Sequence, residues 1–135
     1  MNVSCLVKKR NVSVNLSVIK SILEYSEACH PKEGILLLKG KVNKDRIVVE
    51  EVELPPLAVH GRNFSNFPVY MLPVDFSVIG TAHSHPTGVI NPSITDLNNF
   101  YGRIMIIAAY PYKSKKNIAI FDANKNLIEY NIIDD

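Results

Sequence analysis

A chain of 135 residues with 47% apolar and 21% charged side chains has the length of one domain and enough apolar material for one core, which excludes a mainly disordered protein. Its 15 basic and 13 acidic side chains leave a net charge of +2, and neither sign gathers into a long run. A partner held by charge alone, whether nucleic acid or an anionic membrane, is therefore excluded, and activity has to come from a site.

No apolar stretch approaches the ~18 residues of a membrane span, and residues 1–10 lack the apolar core and cleavage site of a signal peptide. Cys5 and Cys29 have no CxxC spacing and are too few for a disulfide framework, so a reducing, cytoplasmic setting is expected.

The first element in chain order is a helix over 16–29, with Leu16, Ile19, Ile22, Leu23 and Ala28 near three-to-four spacing, Asn15 or Ser17 as its cap and Pro31 as its stop. The apolar run 35–39, closed by Gly40, and the partly alternating 46–54 form a hairpin across the polar turn 41–45, ended by Pro55 and Pro56. Residues 57–73 mix Gly61, Pro68 and Pro73 with Phe64, Phe67 and Tyr70, which reads as a long loop carrying exposed aromatics, of a length that in a small domain is functional or mobile. A buried strand over 76–82, a short helix over 94–101 and a strand over 103–109 follow. The chain ends in a hairpin of 117–122 with 127–133. This order predicts one α/β domain over 1–135 with a mixed sheet.

Residues 83–96 read His-Ser-His-Pro-Thr-Gly-Val-Ile-Asn-Pro-Ser-Ile-Thr-Asp. In extended backbone the side chains at i and i+2 share a face, so His83 and His85 can converge on one ion. Zinc is the natural candidate, and Asp96 is the third ligand that Gly88, Asn91 and Pro92 could turn back toward the strand. Taken alone, a His pair two apart is an ordinary core or surface feature, and Ser93 with Asp96 is a capping box. Together the four residue types coincide by chance on the order of once in several thousand sequences. A zinc hydrolase also needs a carboxylate base that is not a ligand. Glu33, between the helix stop and an apolar strand, is the first choice, with Glu24, Glu27 and Asp75 as rivals.

His83-Ser84-His85, seven residues, Ser93, two residues and Asp96, with Glu33 upstream, resembles the JAMM signature of the MPN-plus metalloproteases, the zinc deubiquitinases and their prokaryotic relatives. Pro31-Lys32-Glu33, Gly80, and 104–109 followed by Pro111-Tyr112 extend the likeness over most of the chain. The resemblance implies a cytidine-deaminase-like α-β-α sandwich with a mixed central sheet and one zinc per chain on His83, His85 and Asp96. It further implies Glu33 as general base and Ser93 as a stabiliser of the tetrahedral intermediate. The implied substrate is a ubiquitin-like modifier or sulfur-carrier protein cleaved after its Gly-Gly. Phe64, Phe67 and Tyr70, aromatics in a polar, Pro-rich stretch, are the candidate contacts to its tail, with packing back onto the core as the alternative. Leu36 stands where relatives often have Gly, and Thr81-Ala82 replaces the aromatic pair of eukaryotic members. A non-catalytic MPN scaffold and a RadC-like JAB protein are the alternative readings. Monomer and homodimer are both left open. A deaminase is excluded because His-x-Glu and Pro-Cys-x-x-Cys are missing.

Overall fold

The computed structural model describes residues 10–55 and 77–135. Its elements are β1 (Asn11–Asn15), α1 (Leu16–Cys29), β2 (Ile35–Val42), β3 (Arg46–Glu53), β4 (Val78–His85), α2 (Ile94–Asn98), β5 (Ile104–Ala109), β6 (Ile118–Phe121), β7 (Leu127–Ile128) and β8 (Tyr130–Ile133). All eight strands belong to one sheet, ordered β7-β6-β5-β4-β2-β3-β1-β8. The β1–β3, β1–β8 and β4–β5 pairs are parallel and the others antiparallel, so the sheet is mixed, as expected.

β7 and β8 are separated in sequence by Glu129 alone, yet they close opposite ends of the strand order. Two residues two positions apart cannot stand more than about 7 Å from each other. The sheet therefore curls until both edges meet in one extended segment, which stitches β6 to β1. Ile128, Tyr130 and Ile132 from this segment pack against the main core.

Strand alternation separates two apolar faces. Val18, Ile19 and Ile22 of α1 pack in one cluster with Val14, Leu38, Val49, Ile106 and Ile120, which come from five different strands. Met105, Ile107, Ala119 and Phe121 face the other way and are covered by Ile90 and Phe100 from the crossover between β4 and β5. One helix on each face gives the layered α/β arrangement that the sequence predicts.

Several boundaries differ from expectation. β1 was not anticipated, because five residues with one clear alternation carry little signal. β2 continues through Gly40 to Val42 across a register shift at Lys39/Gly40. There a side chain on Gly40 would stand 1.8 Å from the Val48 carbonyl oxygen. α2 stops at Asn98, with Asn99 as its C-cap, instead of reaching Tyr101. The start of α1 is not capped by Asn15 or Ser17 side chains. Instead, the Asp135 carboxylate accepts from the Ser17 amide at 3.0 Å and the Ser17 hydroxyl at 2.5 Å, across 118 residues of sequence.

Gly80 pairs with Ile104, and a Cβ on it would lie 2.1 Å from the Ile104 carbonyl oxygen. The clash is with backbone, so β4 and β5 would have to separate. Gly80→Ala should cost about 1–3 kcal/mol, the usual scale of overpacking, read as a lowered urea midpoint at unchanged slope. An unchanged midpoint would show that the two strands yield freely here.

Candidate active site

β4 runs through both histidines instead of ending before them, and His83 and His85 face the same side of the sheet, 4% and 7% exposed. The chain then turns at Gly88, whose φ is +85° and whose amide donates to the His85 carbonyl at 3.1 Å. It arrives at Ser93, the N-cap of α2. The Asp96 amide donates to Ser93 Oγ at 3.0 Å, and the Ser93 amide donates to Asp96 Oδ2 at 2.9 Å, a complete capping box. The same carboxylate reaches back to β4, with Oδ2 2.9 Å from His85 Nε2 and Oδ1 3.7 Å from His83 Nδ1.

Glu33 enters from the other side of β4. β2 pairs antiparallel with β4, Ile35 opposite His83, so the residue just before β2 stands at the histidine end of the sheet. Glu33, His83, His85, Ser93 and Asp96 all line one cavity of about 310 Å³, with Asn91 and Asn99 among its other walls. The rival bases Glu24 and Glu27 lie along a separate shallow groove beside Lys20 and Tyr112. Asp75, Phe64, Phe67 and Tyr70 fall outside the described residues.

The outer ring nitrogens are also committed, a feature invisible to motif reading. His85 Nδ1 donates to the Val89 carbonyl at 2.7 Å, and His83 Nε2 meets the Thr81 hydroxyl at 3.1 Å inside the strand. Thr81, two residues before His83, was findable by the same i, i+2 rule that pairs the histidines. The Val89 carbonyl depends on the path of the turn and carried no signal.

Electrostatics follow from burial. Burial lowers the His83 pKa to about 4, against the upward pull of Asp96. For His85 burial also lowers, but the Asp96 hydrogen bond and the Val89 carbonyl prevail and the net shift is upward. Burial alone would raise Asp96, yet His85, His83 and the Ser93 amide bring it down to about 2. Glu33 is raised, first by burial, then less by Asp96, with His85 opposing.

His83 Nδ1 is buried and has no hydrogen-bond partner. In the tautomer that donates Nε2–H to Thr81, this bare nitrogen faces a carboxylate oxygen 3.7 Å away, an arrangement that calls for a cation between them. Tetrahedral zinc, with bonds of about 2.0–2.1 Å, sets its donors roughly 3.3 Å apart. The observed 2.9 and 3.7 Å separations bracket that spacing. Asp96 is drawn onto His85, and among the described residues no set of three His, Cys, Asp or Glu side chains stands splayed in finished metal geometry. The donor chemistry nonetheless fits zinc: two imidazoles with anchored outer nitrogens and one ionised carboxylate.

Fold and site together define a class, an α/β domain that presents a His-x-His strand and a helix-start aspartate to a single cleft. The family model for prokaryotic homologs of the JAB domain matches residues 15–122, and the chain belongs to that family. A probable metalloprotease from Haloferax volcanii is 32% identical over 130 residues, covering 91% of this chain and 80% of that protein. Among solved structures, a JAB1/MPN domain protein from Archaeoglobus fulgidus superposes with a TM-score of 0.68 at 28% identity, over 90% of this chain and 98% of that one. A structure described as JAMM, a metalloprotease-like zinc site in the proteasome and signalosome, gives 0.67 at 26% identity, over 91% and 98%.

The buried neutral His83 makes the metal-free protein acid-sensitive. Unfolded, its ring takes a proton near 6.5; folded, it resists protonation down to about 4, so stability falls as pH drops through that window. The raised His85 does not offset this, because its contribution is already complete below its unfolded value, while Glu33 offsets part near the acid end. Urea titrations of chelator-treated protein should show a loss of up to roughly 3 kcal/mol between pH 6.5 and 4, reduced in His83→Asn. A flat profile would contradict a buried neutral ring.

Proposed function

We propose that this chain is a zinc metallopeptidase that hydrolyses a peptide or isopeptide bond after the Gly-Gly end of a ubiquitin-like modifier or sulfur-carrier protein. The observation that carries the reading is the convergence of His83, His85, Asp96, Glu33 and Ser93 on one cavity, from three separate parts of the chain. The name of the Haloferax relative and the zinc site described for a solved neighbour support the metal and the reaction class. The Gly-Gly end rests on the sequence resemblance.

His83, His85 and Asp96 hold the ion in this reading. When bound, zinc supplies Lewis acidity and a water whose pKa is lowered toward ~7. Glu33 takes the proton of the attacking water and returns it to the departing amine. A carboxyl raised by burial suits both tasks, because proton exchange is most efficient when its pKa approaches the working pH. Ser93 Oγ acts as an acceptor in the capping box, so its own hydrogen can be aimed at the oxyanion that develops on the scissile carbonyl. The cleft asks little side-chain volume of a Gly-Gly tail, and Phe64, Phe67 and Tyr70 would add contacts to the modifier. No helix among the described residues is long and apolar enough to cross a membrane.

Two variants separate metal binding from catalysis. His83→Ala should lose stoichiometric zinc by elemental analysis, since only two of three ligands would remain. Glu33→Gln should keep zinc and fold but lose at least ~100-fold in turnover on linear and isopeptide-linked Gly-Gly substrates. Near wild-type turnover in Glu33→Gln would move the base elsewhere.

A further inference from the structure

We propose that Ser84, the residue between the two histidines, is the positioning residue for Glu33. The inference rests on the metallopeptidase reading and deepens it. Ser84 alternates to the face opposite the histidines and is 2% exposed. Its amide donates to the Gly34 carbonyl at 3.1 Å, the ordinary continuation of the β2–β4 ladder beyond Ile35 and His83. The return bond is not ordinary. In a regular antiparallel pair the Gly34 N–H would go to the Ser84 carbonyl, whereas here it donates to the Ser84 hydroxyl at 2.7 Å.

Gly34 is held from the other side as well. A Cβ on it would lie 2.8 Å from the Tyr25 ring and 3.0 Å from Cys29 Sγ, so α1 presses its backbone onto Ser84. The peptide immediately after Glu33 is thus gripped by a serine covalently bonded to both histidines. One residue that spaces the two imidazoles along β4 also fixes where the carboxylate stands above them. Alanine in its place leaves the Gly34 donor buried without its acceptor, and the peptide must shift to find another. Displacement of a base by about 1 Å is enough to cost on the order of 100-fold in rate.

The test compares Ser84→Ala with Ser84→Thr, which keeps the hydroxyl, in zinc-loaded protein acting on a linear Gly-Gly fusion. Ser84→Ala should lower kcat at least ~10-fold with KM within ~2-fold, and Ser84→Thr should restore most of it. Zinc affinity by chelator competition should stay within ~3-fold, and amide exchange at Gly34 should accelerate. In a Glu33→Gln background the alanine change should cost nothing further, because the two residues act as one unit. Additive losses, unchanged kcat in Ser84→Ala, or zinc affinity falling in step with rate would each overturn the assignment. If Ser84→Ala does not fold, Ser84→Cys, with a poor acceptor in the same place, takes its role. Should the wild type cleave nothing, the metallopeptidase reading fails first. Gly34 exchange then decides the clamp: acceleration confined to this junction supports it, and unchanged protection in Ser84→Ala overturns it.

Discussion

Asp96 is 8% exposed and ionised, and a carboxylate that far from water has to be met by donors or cations on every side. The Ser93 amide satisfies part of Oδ2, His85 shares it, and Oδ1 looks toward the bare nitrogen of His83. Helix start and site are therefore a single construction. α2 has five residues, far below the length at which a helix is stable by itself, so the capping box and the contacts to β4 hold it in place. A cation between the rings and the carboxylate would complete the compensation that the protein leaves unfinished at His83 Nδ1.

The sheet supplies the fixed frame for this charge. β4 lies between β2 and β5, with Gly80 allowing the Ile104 backbone close approach. Gly102, at φ +79°, lets the returning crossover pass over the Ile79 carbonyl where a Cβ would be 2.4 Å away. Both contacts fix the point where the crossover carrying α2 returns beside the start of β4 and enters β5. Stitching of the two sheet edges by residues 127–133 adds Ile128, Tyr130 and Ile132 to the face that α1 covers, and α1 in turn packs Tyr25 and Cys29 against Gly34.

The candidate site was largely legible in the sequence because four of the residues that line its cavity, His83, His85, Ser93 and Asp96, fall within fourteen consecutive positions governed by local rules. Those rules are period-two alternation at His83 and His85, and a Ser-x-x-Asp helix start at Ser93 and Asp96. Glu33 was legible as a carboxylate at a strand entrance, chosen on that place over Glu24, Glu27 and Asp75, and the family resemblance implies the same residue. Ser84 and Val89 were missed because each acts through a hydrogen bond whose partner the chain path decides, whereas Thr81 lay within reach of the same i, i+2 rule as the histidines. Ser84 is the clearest case: a serine inside a strand reads as filler until its acceptor role across β2 is seen. In the fold, long apolar runs such as 35–38 and 104–109 were plain. β1, the break at Glu129 and the Asp135 cap on α1 depend on pairings 35 to more than 100 residues apart, beyond any window of periodicity.

If His83, His85 and Asp96 hold zinc at the mouth of β4, the ion will show in anomalous diffraction at the zinc edge from zinc-loaded crystals. One strong peak per chain is expected among His83, His85 and Asp96, about 2.0–2.2 Å from each donor and open to the Glu33 side. A peak bound elsewhere, or no peak at these three residues at saturating zinc, would contradict it.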